Sequence, residues 1–251
     1  MLKQSNSFNN LKSKLKTKMK IYDSYLPLTK QEEKMFNAHL NPIECFHSNR
    51  IEGNSYTLDE TTYMLSTGYV PKGKKSKDTL EIENLSKCIA YVNHYKGELT
   101  EDFIKFIHKS ATNGTLDNLE DCGNYKKIRN WVGNTTTSSP EHTPIHMTKL
   151  IKWYNDNKDL MEPIELSTRF VYRFLCIHPF VDGNGRVSRL LFNFIINQFG
   201  YINCIIFDED KEDYYRSLQN SNKDDVKPLL EFFYKELIKT YDLRISLLNF
   251  N

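Results

Sequence analysis

The stretch His178-Pro179-Phe180-Val181-Asp182-Gly183-Asn184-Gly185-Arg186-Val187-Ser188-Arg189 decides how this chain is read. It gathers an imidazole, a carboxylate, paired glycines and paired guanidinium groups in one short run. Its flanks set its structure. Upstream, Glu165 to Ile177 puts Leu166, Phe170, Phe174 and Ile177 on one helical face. Downstream, Leu190, Leu191, Phe194 and Ile195 repeat that spacing until Gly200 offers a helix stop. The spacing predicts a polar loop between two amphipathic helices, with Pro179 biasing His178 away from helical geometry.

The chemistry of the loop follows from its residue types. Gly183 and Gly185 let backbone N–H groups turn inward at little steric cost. The second helix starts there, so its unpaired N–H groups and positive dipole end face the same point. Arg186 and Arg189, three residues apart, are neighbours on its first turn. The set is suited to a polyphosphate. Asp182 beside phosphate oxygens calls for a hard divalent cation, Mg2+. His178 is the side chain there suited to general-base work near neutral pH. The loop holds no obvious covalent nucleophile, so the arrangement fits direct displacement at a phosphate by an outside hydroxyl.

A second motif lies upstream. Asn41-Pro42-Ile43-Glu44 reads as a helix start, with an Asn cap, Pro at the first helical position and Glu three residues after the cap. Gly53 supplies the stop. The helix between is too short to stand alone and must dock on something. Ser48 and Glu52 share one of its faces.

His-Pro-Phe-x-Asp-Gly-Asn-Gly-Arg-x-x-Arg is the Fic signature, and the chain resembles a Fic-domain adenylyltransferase at every fixed position of it. The resemblance implies a mainly α fold, a Fic-type helical bundle with a small β-hairpin flap. It implies that His178 deprotonates a target hydroxyl that attacks the α-phosphorus of ATP, and that Asp182 holds Mg2+. Gly183, Asn184, Gly185, Arg186 and Arg189 would hold the phosphates, with Phe180 facing the core. Relatives with Lys in place of Gly185 can transfer phosphate, so Gly185 points to AMP transfer. Ser48-Asn49-Arg50-Ile51-Glu52-Gly53 matches the inhibitory motif Ser/Thr-x-x-x-Glu-Gly/Asn, in which Glu52 would pair with Arg189 and misdirect ATP. The stretch Gly123 to Gly133 is similar to the family's flap, and its alternation from Tyr125 to Val132 reads as a strand entering a hairpin. Asn130, Trp131, Val132 and Gly133 would then contact the nucleotide. Lys126 stands where Arg is more usual. Tyr214, Tyr215 and Asn222 resemble adenine and ribose contacts, although adjacent tyrosines also suit simple packing.

Over residues 45–245 the chain is most similar to the endoplasmic-reticulum Fic proteins of animals that modify a chaperone. Their membrane anchor and helical-repeat region have no counterpart in this sequence, so the chaperone is not carried over as substrate. The partners implied are ATP, a protein bearing an exposed hydroxyl and, since relatives often dimerise, a second copy of the chain.

With 251 residues the chain can bury one sizeable core. A formal charge of +2 argues against nucleic acid or membrane as partner. Five scattered cysteines without a CxxC pair suggest reduced thiols in a cytoplasm. No apolar run reaches membrane-spanning length, and the first twenty residues lack a signal-peptide core. Alternating lysines from Lys12 to Lys20 could mark an edge strand or an anionic partner, but suit a solvated arm better. His142 and His146 have a ligand-like spacing that Pro144 disrupts, so no metal is assigned there.

The organisation expected is a basic arm and helix over 1–40, an inhibitory helix and helical lobe over 41–100, the catalytic core over 101–235 and a helical tail over 236–251. Two other functional readings stand beside AMP transfer. Glu52 could instead direct water, making the chain a remover of AMP from proteins. A non-catalytic nucleotide-binding regulatory module would need a disabled site, whereas every phosphate-handling position is present.

Overall fold

Helices α1 (Leu2–Asp23), α2 (Lys30–Ile51), α3 (Leu58–Thr67), α4 (Ser76–His94), α5 (Glu101–Ala111), α6 (Thr143–Asn157), α7 (Pro163–Ile177), α8 (Asn184–Asn197), α9 (Lys211–Gln219) and α10 (Lys227–Asn249) account for most of the chain. The computed structural model describes residues 2–132 and 135–249. Strands β1 (Trp131–Val132) and β2 (Thr135–Thr136) pair antiparallel, Trp131 opposite Thr136 and Val132 opposite Thr135. No described helix is long and apolar enough to cross a membrane. The five cysteines are free thiols.

α7 and α8 pack on each other and divide their apolar residues between two cores. Leu166, Phe170 and Phe174 join Val187, Leu190, Leu191 and Phe194 in a core shared with α4, α5 and α6. Ile164 and Val171 join Phe192 and Ile196 in a second core shared with α1, α2 and α10. Each such buried side chain contributes about 1.5–3 kcal/mol. The loop between α7 and α8 is thus held at both ends by rigid, doubly packed helices.

Three expectations are corrected. The Lys-rich segment is not a solvated arm: it is α1, laid along α10, with Leu15 and Tyr22 buried and Phe8, Leu11 and Met19 beside them. Positions 8, 11, 15, 19 and 22 are an i, i+3/i+4 stripe that the lysines between them obscure. Nor does a helix begin at Asn41. α2 starts twelve residues earlier at a capping box, where the Thr29 hydroxyl accepts from Glu32 N and the Glu32 carboxylate accepts from Thr29 N. It passes through Pro42 because Phe36, Leu40, Glu44, His47 and Ile51 are buried on one continuous face. Asn41 is no cap. Its Nδ2 donates to Ser86 Oγ, and Glu44 is buried where Asn193 and Asn203 donate to it. Burial pushes the Glu44 carboxyl above its ordinary value, with Asn203, Arg244 and Asn193 opposing.

The segment expected as a strand from Tyr125 is irregular until Trp131. The Lys126 N–H bonds Pro179 O instead of a neighbouring strand, and among the described residues regular pairing covers two residues on each side.

Candidate active site

Residues 178–183 turn tightly between α7 and α8. His178 ends α7 in the left-handed region (φ 50°, ψ 61°), a conformation that costs a non-glycine residue on the order of 1–3 kcal/mol. Gly183 starts α8 with φ 77°, and a Cβ there would meet Thr112 Cγ2 at 2.7 Å. Both conformation and space require glycine at 183.

The His178 ring is largely enclosed, and its Nδ1 is buried without a hydrogen bond of ordinary geometry. Burial pushes the imidazole down to about 4; the Lys126 ammonium adds to this, while the Leu175 backbone, Asp182 and Glu52 oppose it. The ring is neutral at pH 7 and able to accept a proton, with Nε2 the nitrogen left to meet a substrate.

Arg189 is bracketed by α2. Its Nη2 meets Glu52 Oε1 at 2.8 Å and donates to Ser48 O at 2.9 Å, and its Nε donates to Ser48 Oγ at 2.8 Å. The Glu52 carboxylate lies against the start of α8: a Cβ on Gly185 would stand 2.3 Å from Glu52 Oε1. A carboxylate therefore sits where the helix N-terminus favours an anion. Gly53, at φ 92°, ends the turn that delivers it.

The other sequence-derived candidates divide. Asp182 is exposed on the loop, its Oδ1 accepting from Gly183 N at 2.6 Å. One exposed hard carboxylate beside a phosphate cradle is a donor set that suits Mg2+ sharing its shell with phosphate oxygens. Arg186 does not face Glu52; it is buried (2 % exposed) with Nη1 3.2 Å from Glu81 Oε1 in α4. Asn184 is also inward, its amide exchanging two hydrogen bonds with the Phe180 backbone. Both brace the loop through their side chains. Phe180 is in the core, as its pattern implies. Asn130 is committed to the backbone of the turn, donating to His178 O and Phe180 O. Trp131 is open to solvent (60 % exposed); Val132 lies in β1, and Gly133 falls outside the described residues. Tyr214 is core, packed on Phe232 and Phe233, and burial pushes its phenol up to about 12. Tyr215 is the one of the pair at the surface (37 % exposed), near enough to Glu52 and Arg189 to feel both charges. Asn222 Oδ1 caps the turn before α10 by accepting from Asp224 N and Asp225 N.

Sequence reasoning missed His108. It is wholly buried in α5 and stacked on Phe180 at 3.7 Å with an interplanar angle of 5°. Its Nε2 lies 2.9 Å from Asp182 O, and its Nδ1 2.9 Å from Gly123 N. The second contact needs an acceptor, so Nε2 carries the proton. Burial pushes this imidazole down to about 4; the Arg186 charge also lowers it, while the Asp182 backbone and carboxylate oppose. A lone histidine on an apolar face has no spacing signal. The pairing of Asn54 Nδ2 with Glu81, which ties the residues after Glu52 to the partner of Arg186, was equally silent.

Known proteins resemble this chain in sequence and in fold. The Fic/DOC family matches residues 98–196. A sea anemone (Nematostella vectensis) protein named protein adenylyltransferase Fic is 32 % identical over 226 residues, 88 % of this chain and 51 % of its own length. Caenorhabditis elegans protein adenylyltransferase fic-1 is 31 % identical over 196 residues, 76 % of this chain and 38 % of its own. The chain spans about half the length of the curated relatives it matches. A Fic-domain-containing signaling protein from Bacteroides thetaiotaomicron superposes with a TM-score of 0.84 at 28 % identity, over 94 % of this chain and 98 % of that one. The fold is also that of C. elegans Fic-1, TM-score 0.84 at 22 % identity, over 98 % of this chain and 75 % of that one.

Proposed function

The chain carries a domain of the Fic/DOC family, and from this we propose that it moves AMP from ATP to a Ser, Thr or Tyr hydroxyl of a protein, and that Glu52 holds it inactive. The observation that carries the reading is the Glu52 carboxylate seated against Gly185 and bonded to Arg189. An anion of the chain's own occupies the position an anionic ligand would take.

His178, neutral at pH 7, takes the proton of the target hydroxyl as that oxygen bonds the α-phosphorus. The bond from phosphorus to the bridging oxygen breaks, and pyrophosphate leaves. Backbone N–H groups at the start of α8 receive phosphate oxygens. Arg189, once free of Glu52, grips the γ-phosphate and so orients the α-phosphate for in-line attack. Arg186 and Asn184 act through the loop that they brace. Asp182 would hold Mg2+, which neutralises charge on the phosphates when bound. Tyr215, at the surface and within the influence of Glu52 and Arg189, would border the adenine. A second copy of the chain and a cytoplasmic setting belong to this reading as inferences from resemblance and thiol chemistry.

The test is mass spectrometry after incubation with MgATP. The Glu52→Gly protein gains 1 AMP per modified residue at a rate at least about tenfold above wild type, the cost of one charge-assisted bond. A Glu52→Gly protein that binds MgATP yet labels nothing, itself included, overturns the inhibition model. His178→Ala in that background abolishes labelling and leaves ATP binding, whereas a regulatory module without catalysis predicts no difference.

One observation favours a second reading, removal of AMP. The Glu52 charge is among the influences that raise the proton affinity of His178, and in this reading its carboxylate would direct water toward that ring. Release of AMP from a modified protein by wild type, lost in Glu52→Gln, supports this reading; retained release rejects it.

A further inference from the structure

Four successive carbonyls around His178 are all held by one short segment. Lys126 Nζ donates to Ile177 O at 3.1 Å. Asn130 Nδ2 reaches His178 O at 3.3 Å. Lys126 N donates to Pro179 O at 2.9 Å, and Asn130 Nδ2 also reaches Phe180 O at 2.8 Å. The ammonium has two further acceptors, Asn130 Oδ1 at 2.6 Å and Thr137 Oγ1 at 2.8 Å. Thr137 returns its hydroxyl proton to Asn130 O at 2.9 Å. All three ammonium protons and both Asn130 amide protons are therefore placed. Asn130 precedes β1 and Thr137 follows β2, so the same cluster ties both ends of the β1–β2 pair to the turn.

We propose that Lys126 and Asn130 are positioning residues, which hold the strained turn at His178 and fasten the base of the β1–β2 flap to it. The role rests on His178 being the proton acceptor of the proposed reaction. A left-handed conformation at a non-glycine residue persists when its surroundings over-determine it, and the Lys126–Asn130 cluster supplies that determination on the carbonyl side. Stability alone does not account for the choice of lysine. Lys126 is almost fully buried, and no carboxylate pairs with it among the described residues. An ammonium taken out of water without a counter-ion is costly, and burial pushes it down to about 8. What it gains is three neutral oxygens from three different segments, drawn to one point beside the catalytic ring.

The experiment compares self-labelling with MgATP in a Glu52→Gly parent and in that parent carrying Lys126→Met, Lys126→Arg or Asn130→Ala. ATP affinity, thermal midpoint and amide exchange over residues 177–182 are measured in each. Lys126→Met and Asn130→Ala are expected to slow transfer on the order of a hundredfold, as a displacement of the reacting groups does. Amide exchange in the turn should quicken, while ATP affinity and midpoint stay near the parent's. Lys126→Arg, which keeps the cation and its donors, should restore most of the rate. Parent-level transfer or unaltered exchange in Lys126→Met overturns the proposal. Loss of rate, ATP affinity and midpoint together also overturns it, because that pattern marks a general structural role. A parent that transfers no AMP overturns the adenylyltransferase reading instead, and the exchange measurement then decides the positioning role alone.

Discussion

His108 concentrates what a single residue does in this protein. It is neutral, wholly buried, and joins Gly123 N and Asp182 O through opposite ring nitrogens. His108→Phe keeps the stacking on Phe180 but leaves both backbone groups unpaired, and should cost about 2–4 kcal/mol in denaturant unfolding. Its folded-state pKa is about 4 against an ordinary 6.5. Between those values the unfolded chain binds more protons than the folded one, so stability rises with pH across that window and is complete above it. The thermal midpoint of wild type should fall as pH drops from 7 to 4.5, less steeply in His108→Phe. His178 is shifted the same way and leaves a residual slope. None of this was legible in the sequence. The residues that were legible, His178, Asp182, Gly183, Arg189, Ser48 and Glu52, carry their meaning in spacing along one chain. His108, Lys126 and Glu81 each act through a partner distant in sequence: Asp182, Ile177 and Arg186 respectively.

Among the elements, α7 and α8 were readable because their apolar period is clean and their loop is marked by Pro and Gly. α2 was misread for the opposite reason. Asn41-Pro42-x-Glu44 imitates a helix start locally, while the true start, Thr29-x-x-Glu32, lies twelve residues before it. The buried face running from Phe36 to Ile51 outweighs one missing N–H at Pro42. Thr29→Ala removes one half of the capping box and should cost about 1 kcal/mol. If the unfolding free energy is unchanged, the cap contributes nothing to α2. The flap was over-read as a strand because alternation near Tyr125 reflects other commitments: the Tyr125 hydroxyl donates to Glu101 Oε2, and Lys126 turns inward.

Across the whole molecule, two cores meet along α7 and α8, and α1 closes the second by packing on α10. Leu15→Ala opens a cavity in that contact and should cost about 3 kcal/mol, measured as a lower denaturation midpoint. A loss under about 0.5 kcal/mol would show that α1 adds no stability where it lies. The continuity of α2 has a mechanical meaning as well. From Asn41 the helix extends about 16 Å to Glu52 and about 18 Å back to Thr29, at 1.5 Å per residue. Buried side chains from Phe36 and Leu40 to Ile51 hold one face of it, whereas Lys30–Met35 and Asn37–His39 are exposed. The helix is thus a lever of nearly equal arms. A tilt of about 5° about Asn41 moves each end by roughly 1.4 Å, enough to take the 2.8 Å contact of Glu52 with Arg189 beyond hydrogen-bonding reach. A displacement of the exposed first turns of α2 would then be carried along one continuous helix to the contact between Glu52 and Arg189.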